Sequence, residues 1–161
     1  MNASPTSPRS VPVWDRFVRL FHWTLVSCVV IDYTVLDDGN ALHRWLGYLA
    51  AALGLARVVW GFVGTPRALF SDFFPTFARV RRHIEGMLSG APERHDGHNP
   101  LGALMILALM VQVLAVCLTG WMQTLDVFWG EEWLQELHEH ASNLLIALAS
   151  LHALAAIVMG R

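Results

Sequence analysis

Four runs of about 20 apolar residues decide what this chain can fold into, because an α-helix needs that length to cross the hydrocarbon of a bilayer. They fall at about 17–36, 42–63, 100–125 and 133–160. Backbone N–H and C=O groups in lipid must pair within their own segment, which leaves helices as the spanning form for runs this long. The predicted fold class is therefore all-α, an integral membrane four-helix bundle. Fifty-five per cent of the 161 residues are hydrophobic and only 15% are charged, far from a soluble domain of this size.

The punctuation between runs agrees. Asp37-Asp38-Gly39-Asn40 is a turn signal after the first, and Gly64-Thr65-Pro66 follows the second. Asn99-Pro100 combines an N-cap residue with proline at the first helical position. One long loop, 65–98, joins the middle spans; within it Phe77, Val80, Ile84 and Leu88 recur at helical spacing and predict a short amphipathic helix on the membrane surface. Residues 1–12 are short, polar and proline-rich. They are expected to be a disordered lead-in rather than a cleaved signal, with a single domain over 13–161.

Charge orients the spans. All eleven basic residues are arginine: Arg9, Arg16 and Arg19 lie around the start of the first span, Arg57 lies toward the loop end of the second, Arg67, Arg79, Arg81, Arg82 and Arg94 fill the long loop, and Arg161 follows the last span. Asp37, Asp38, Asp126, Glu131, Glu132, Glu136 and Glu139 gather on the other side, with Arg44 the one basic residue there. The positive-inside bias predicts both termini and the long loop in the cytoplasm, and a bacterial inner-membrane location. A net charge of −2 gives no reason to expect nucleic acid. Cys28 and Cys117 each sit inside an apolar run and form neither a CxxC pair nor a CxxCH haem attachment, so both read as small buried side chains.

Eight histidines are a heavy load for so apolar a chain, and polar groups within spans mark function. His138 and His152 are 14 residues apart in the last span. That is about 40° short of four turns and roughly 21 Å of rise, so both rings leave one helix on nearly the same face at two depths. Depth then matches His22 with His152 near the inner surface and His43 with His138 near the outer one. Facing imidazoles in a greasy bundle suit bis-histidine ligation of haem b, so two haems are expected. Zinc would require further protein ligands at each level. His140, about 120° round the helix from His152, should point away from the His152 face, and competes with His138 less well.

Gly47, Gly54 and Gly61 form a stripe on the His43 face of the second span. They read either as clearance for a flat cofactor or as close helix packing. Arg44 is the outer candidate for a haem propionate, Arg16 and Arg19 the inner ones. The seven tryptophans mostly lie near span ends, as an interfacial belt does. The third span has no histidine; Gln112 and Thr119 are its mid-span polar residues besides Cys117, and it is expected to close the bundle.

With these residues in hand, the chain resembles the bacterial di-haem cytochromes b of four helices, the cytochrome b561 and nickel–iron hydrogenase cytochrome b subunit type. The likeness is carried by Val13-Trp14-Asp15-Arg16-Phe17 with Phe21-His22-Trp23, by His43-Arg44-Trp45-Leu46-Gly47, by Gly97-His98-Asn99-Pro100-Leu101-Gly102, and by Leu137-His138-Glu139 with Leu151-His152. It implies haem iron held by His22/His152 and by His43/His138. It also implies electron transfer through the lipid between a quinone or quinol and a redox protein, a periplasmic cytochrome or a hydrogenase-type subunit. His98 lies in the shared motif, where it reads as a loop residue before a helix cap or as a quinone or propionate contact. Competing readings are a quinone oxidoreductase acting on a small oxidant without a protein partner, a histidine-based metal-ion transporter and a structural membrane anchor. Transport fits poorly, since the only acids in the spans, Asp32, Glu136 and Glu139, lie toward the outer ends and no span has an interior proline.

Overall fold

The computed structural model describes residues 16–36, 39–65, 68–89 and 100–159, and among them it contains helices and turns but no strand. Four helices have the length and apolarity of spans: α1 (Arg16–Val35), α2 (Ala41–Val63), α5 (Pro100–Met122) and α6 (Glu132–Met159). The protein is thus a bundle of four candidate membrane-crossing helices, as predicted. Two short helices, α3 (Phe70–Phe73) and α4 (Phe77–Leu88), lie between α2 and α5. The α4 helix falls where apolar spacing in the long loop predicted one, and α3 had no such signal.

Local chemistry sets the ends. Gly39 takes a positive φ of 73°, and Asn40 then caps α2, its side chain accepting from the His43 backbone N–H at 2.8 Å. The α5 helix starts at Pro100; its expected cap, Asn99, lies outside the described residues, as do His98 and the 1–12 lead-in. It stops at Met122, three residues before the expected end, because the chain turns through a 3-10 segment at Asp126–Phe128. Gly130, at a φ of 80°, completes the turn into α6.

The helices pack in a row: α1 on α2, α2 on α5 and α5 on α6. The first and last spans make little contact with each other, and neither do α2 and α6. Packed neighbours are tied by polar and aromatic contacts. Gln112 donates to the Ala141 carbonyl at 2.7 Å between α5 and α6, and Phe17 stacks against Trp60 between α1 and α2 with ring centres 4.6 Å apart. Few apolar side chains are buried, among them Ala50, Ala103, Val113, Leu134 and Leu145, while large ones such as Phe62, Val111 and Leu154 stay exposed along the spans. That inversion is what a helix row surrounded by lipid needs, since the bilayer covers the outer faces.

Gln112→Leu removes the α5–α6 clamp and leaves shape largely intact. It is expected to cost about 1 kcal/mol, in the range of interhelical hydrogen bonds in membranes, read as a lower midpoint of unfolding in mixed detergent micelles.

Candidate functional site

The ends of the bundle are defined by the turns. The α1–α2 and α5–α6 turns share one end, here the upper; the first residue of α1 and the last of α6 share the lower. At the upper end α1, α2, α5 and α6 together line a cavity of about 1260 Å³. His43 and His138 face into it from α2 and α6, each half-buried, with ring centres 6.2 Å apart and ring planes at 84°. Two imidazoles on opposite sides of one metal, with bonds of about 2 Å and ring nitrogens roughly 1 Å from their ring centres, stand about 6 Å apart centre to centre. The spacing therefore fits a shared metal.

Each ring is held by a residue on the neighbouring packed helix. Asp32, three residues before the end of α1, brings a carboxylate oxygen to 3.0 Å from His43 Nδ1. Thr119, three residues before the end of α5, sets its hydroxyl 2.9 Å from His138 Nδ1. The Thr119 hydroxyl also reaches the Ala115 and Val116 carbonyls, both at 3.0 Å, which can only accept. Its proton is thus spent on its own helix, and toward His138 the oxygen acts as acceptor. An ionised Asp32 is likewise acceptor-only. The His138 Nδ1 then carries hydrogen, and the Asp32 carboxylate favours the same tautomer at His43; such outer partners are how proteins orient histidines that bind metal through Nε2. Neither Asp32 nor Thr119 was singled out from sequence for this role. Depth puts both near the level of these histidines, but which ring each meets depends on which helices pack side by side.

The glycine stripe divides. Gly47, one turn after His43, lines the cavity, and a Cβ there would meet nothing within 4 Å. Gly54 is buried at the α2–α5 seam, where a Cβ would stand 2.9 Å from Leu114 Cδ2, so helix packing accounts for it. Gly61 is covered by the ring of Phe70. Gly120, absent from the sequence reading, does for His138 what the stripe was expected to do for a cofactor: a Cβ would lie 3.0 Å from His138 Cε1. Arg44 borders the cavity, exposed, with one guanidinium nitrogen donating to the Gly39 carbonyl at 2.7 Å. His140 is exposed and bonds the Glu136 carbonyl at 2.6 Å through Nδ1, away from the His43 ring.

At the lower level His22 on α1 and His152 on α6 are half-buried. They project from the two spans that scarcely touch. Arg57, 14 residues after His43 and so on nearly its face, lies at the same level; it is 5% exposed and sits 5.4 Å from the Phe70 ring centre. Sequence reading had counted it only toward the charge bias. Arg16 and Arg19 are exposed at the start of α1. Among the described residues no cluster of three or more His, Cys, Asp or Glu could hold a metal ion. Two imidazoles fill two coordination positions, and the rest fit a macrocycle better than protein ligands.

The model of the prokaryotic cytochrome b561 family matches residues 13–161. Two similar proteins are each described as a probable Ni/Fe-hydrogenase B-type cytochrome subunit. The one from Azotobacter vinelandii is 27% identical over 158 residues, covering 80% of this chain and 65% of the relative. The one from Azotobacter chroococcum mcd 1 is 29% identical over 131 residues, covering 63% of this chain and 54% of the relative. The chain thus spans about half to just under two thirds of the length of these relatives. No solved structure matches it.

Thr119→Val keeps the shape of the α5 side chain but leaves the His138 Nδ1–H without its acceptor. The expected loss is about 1–3 kcal/mol of stability, measured by detergent unfolding, with Thr119→Ser close to the parent.

Proposed function

The chain belongs to the prokaryotic cytochrome b561 family, and from that premise we propose that it is a di-haem b-type cytochrome carrying electrons through a bacterial inner membrane, between a quinone or quinol and a redox protein. As a family member it is a multi-pass membrane cytochrome of b type. In the finer reading His43 and His138 hold one haem iron at the upper level, and His22 and His152 hold a second at the lower. The observation that carries the reading is the upper pair: two rings at ligating distance across a cavity, each with Nδ1 engaged.

When bound, haem supplies a reversible one-electron iron couple, and the protein's part is to place and insulate it. The imidazoles fix iron position. The little-contacting α1/α6 and α2/α6 pairs leave room between the spans, while lipid-facing apolar side chains keep water out. Histidines 14 residues apart on α6 separate the levels by roughly 21 Å along the helix, so one internal transfer would cover most of the hydrocarbon. Arg44 at the upper rim is suited to a propionate.

The arginines of the long loop put the lower level on the cytoplasmic side, with both termini. A partner of the hydrogenase-subunit kind is suggested by what the Azotobacter relatives are called; a periplasmic cytochrome is the other partner considered. The exposed acidic turn with Asp126 and Glu131 would then face the periplasm.

Purified from haem-supplied cells, the protein is expected to be red, with two haems per chain and a reducible b-type spectrum; a colourless preparation would contradict the reading. His152→Ala should lose the lower haem and retain most of the upper, and His43→Ala the reverse. Loss of the same spectral component from both variants would break the pairing. A protease site placed within residues 90–97 should be cut in inverted vesicles and protected in right-side-out ones, and the opposite pattern would overturn the orientation.

A further inference from the structure

Asp32 is an acid inside a membrane span, where a carboxylate is costly and needs a reason. Its reason is geometric. It stands three residues before the end of α1, and His43 stands in the first turn of α2, so the packed hairpin brings them level and 3.0 Å apart at Nδ1. The backbone of His43 is fixed separately by the Asn40 cap. The residue is therefore fixed at its backbone amide and met by a carboxylate at its ring Nδ1, and it lines the cavity that His138 also lines.

The two rings are not held alike. His138 leans on a neutral hydroxyl whose proton goes to its own helix, while His43 leans on a carboxylate. A carboxylate oxygen 3.0 Å from Nδ1 polarises the imidazole and makes it a stronger donor through Nε2 than a hydroxyl does. It also places negative charge near the iron in a medium that screens it poorly. Both effects favour the ferric state.

We infer that Asp32 is a positioning residue that orients His43 through Nδ1 and lowers the reduction potential of the upper haem selectively. The inference rests on the reading of His43 as an axial ligand. It assigns the upper iron one carboxylate-backed and one hydroxyl-backed imidazole, and it makes the α1–α2 hairpin the element that sets that potential.

The test is a spectroelectrochemical titration of the purified two-haem protein, with His43→Ala used first to identify the upper component. In Asp32→Asn that component should move about tenfold toward the ferrous state, which is about 59 mV upward for one electron, while the lower component stays in place. Asp32→Glu, which keeps the carboxylate, should stay nearer the parent. Loss of the upper haem in Asn with retention in Glu also supports the inference, since a missing outer partner weakens metal binding. Unchanged potentials in Asn, an equal shift of both components, or the same behaviour in Asn and Glu, haem loss included, would overturn it, because a space-filling role accounts for each. If His43→Ala removes no component at all, the ligand reading itself fails, and the Asp32 assignment goes with it.

Discussion

An imidazole inside a bilayer needs a polar partner from protein, and here the helix next door supplies it. Asp32 on α1 engages His43 on α2, and Thr119 on α5 engages His138 on α6. Each packed pair of spans holds one ring. The rings meet across α2 and α6, a pair that makes little contact. Tight packing within each hairpin and space between the ring-bearing helices are two sides of one design: rigid neighbours aim the side chains, and loosely opposed helices leave room for a flat group. Hydrogen-bonded imidazoles in low dielectric are costly to leave half-satisfied, so the second partner of each ring is as much a part of the site as the ring.

A 14-residue period gives the bundle its second level. On α6 it carries His138 to His152, and on α2 it carries His43 to Arg57, a buried cation at the level of His22 and His152. One helix thus offers imidazoles at both depths, the other an imidazole and a guanidinium. The two levels differ in their surroundings as well, with an open cavity walled by four spans at the upper end and Phe70 folded over the α2 face at the lower. On the proposed two-haem reading, surroundings this different would set the two irons at different potentials.

Most of the fold was legible because lipid imposes it. Span length, the turn signal ending at Asn40, the Pro100 start signal and the amphipathic spacing of α4 follow from rules that act along one helix. The α3 helix was not legible, being four residues long and held by Phe70 against Gly61, a contact made only once the chain has folded back. Levels of the histidines were also readable, since depth is counted in residues. What stayed hidden was lateral: which helix stands beside which. Thr119 read as filler in a helix without histidines until α5 packed on α6. Asp32 was known to be near the outer end, but its partner needed the α1–α2 hairpin to close. Gly54 looked like Gly47 in the sequence, and Leu114 on another helix separates them.

The central claim is that each iron is clasped between imidazoles from two different spans. Electron paramagnetic resonance of the oxidised, unmodified protein reads that coordination directly. Two low-spin ferric centres of bis-imidazole character per chain are expected, at different potentials. A single centre, or iron that is high-spin because one axial position is open or held by water, would contradict it.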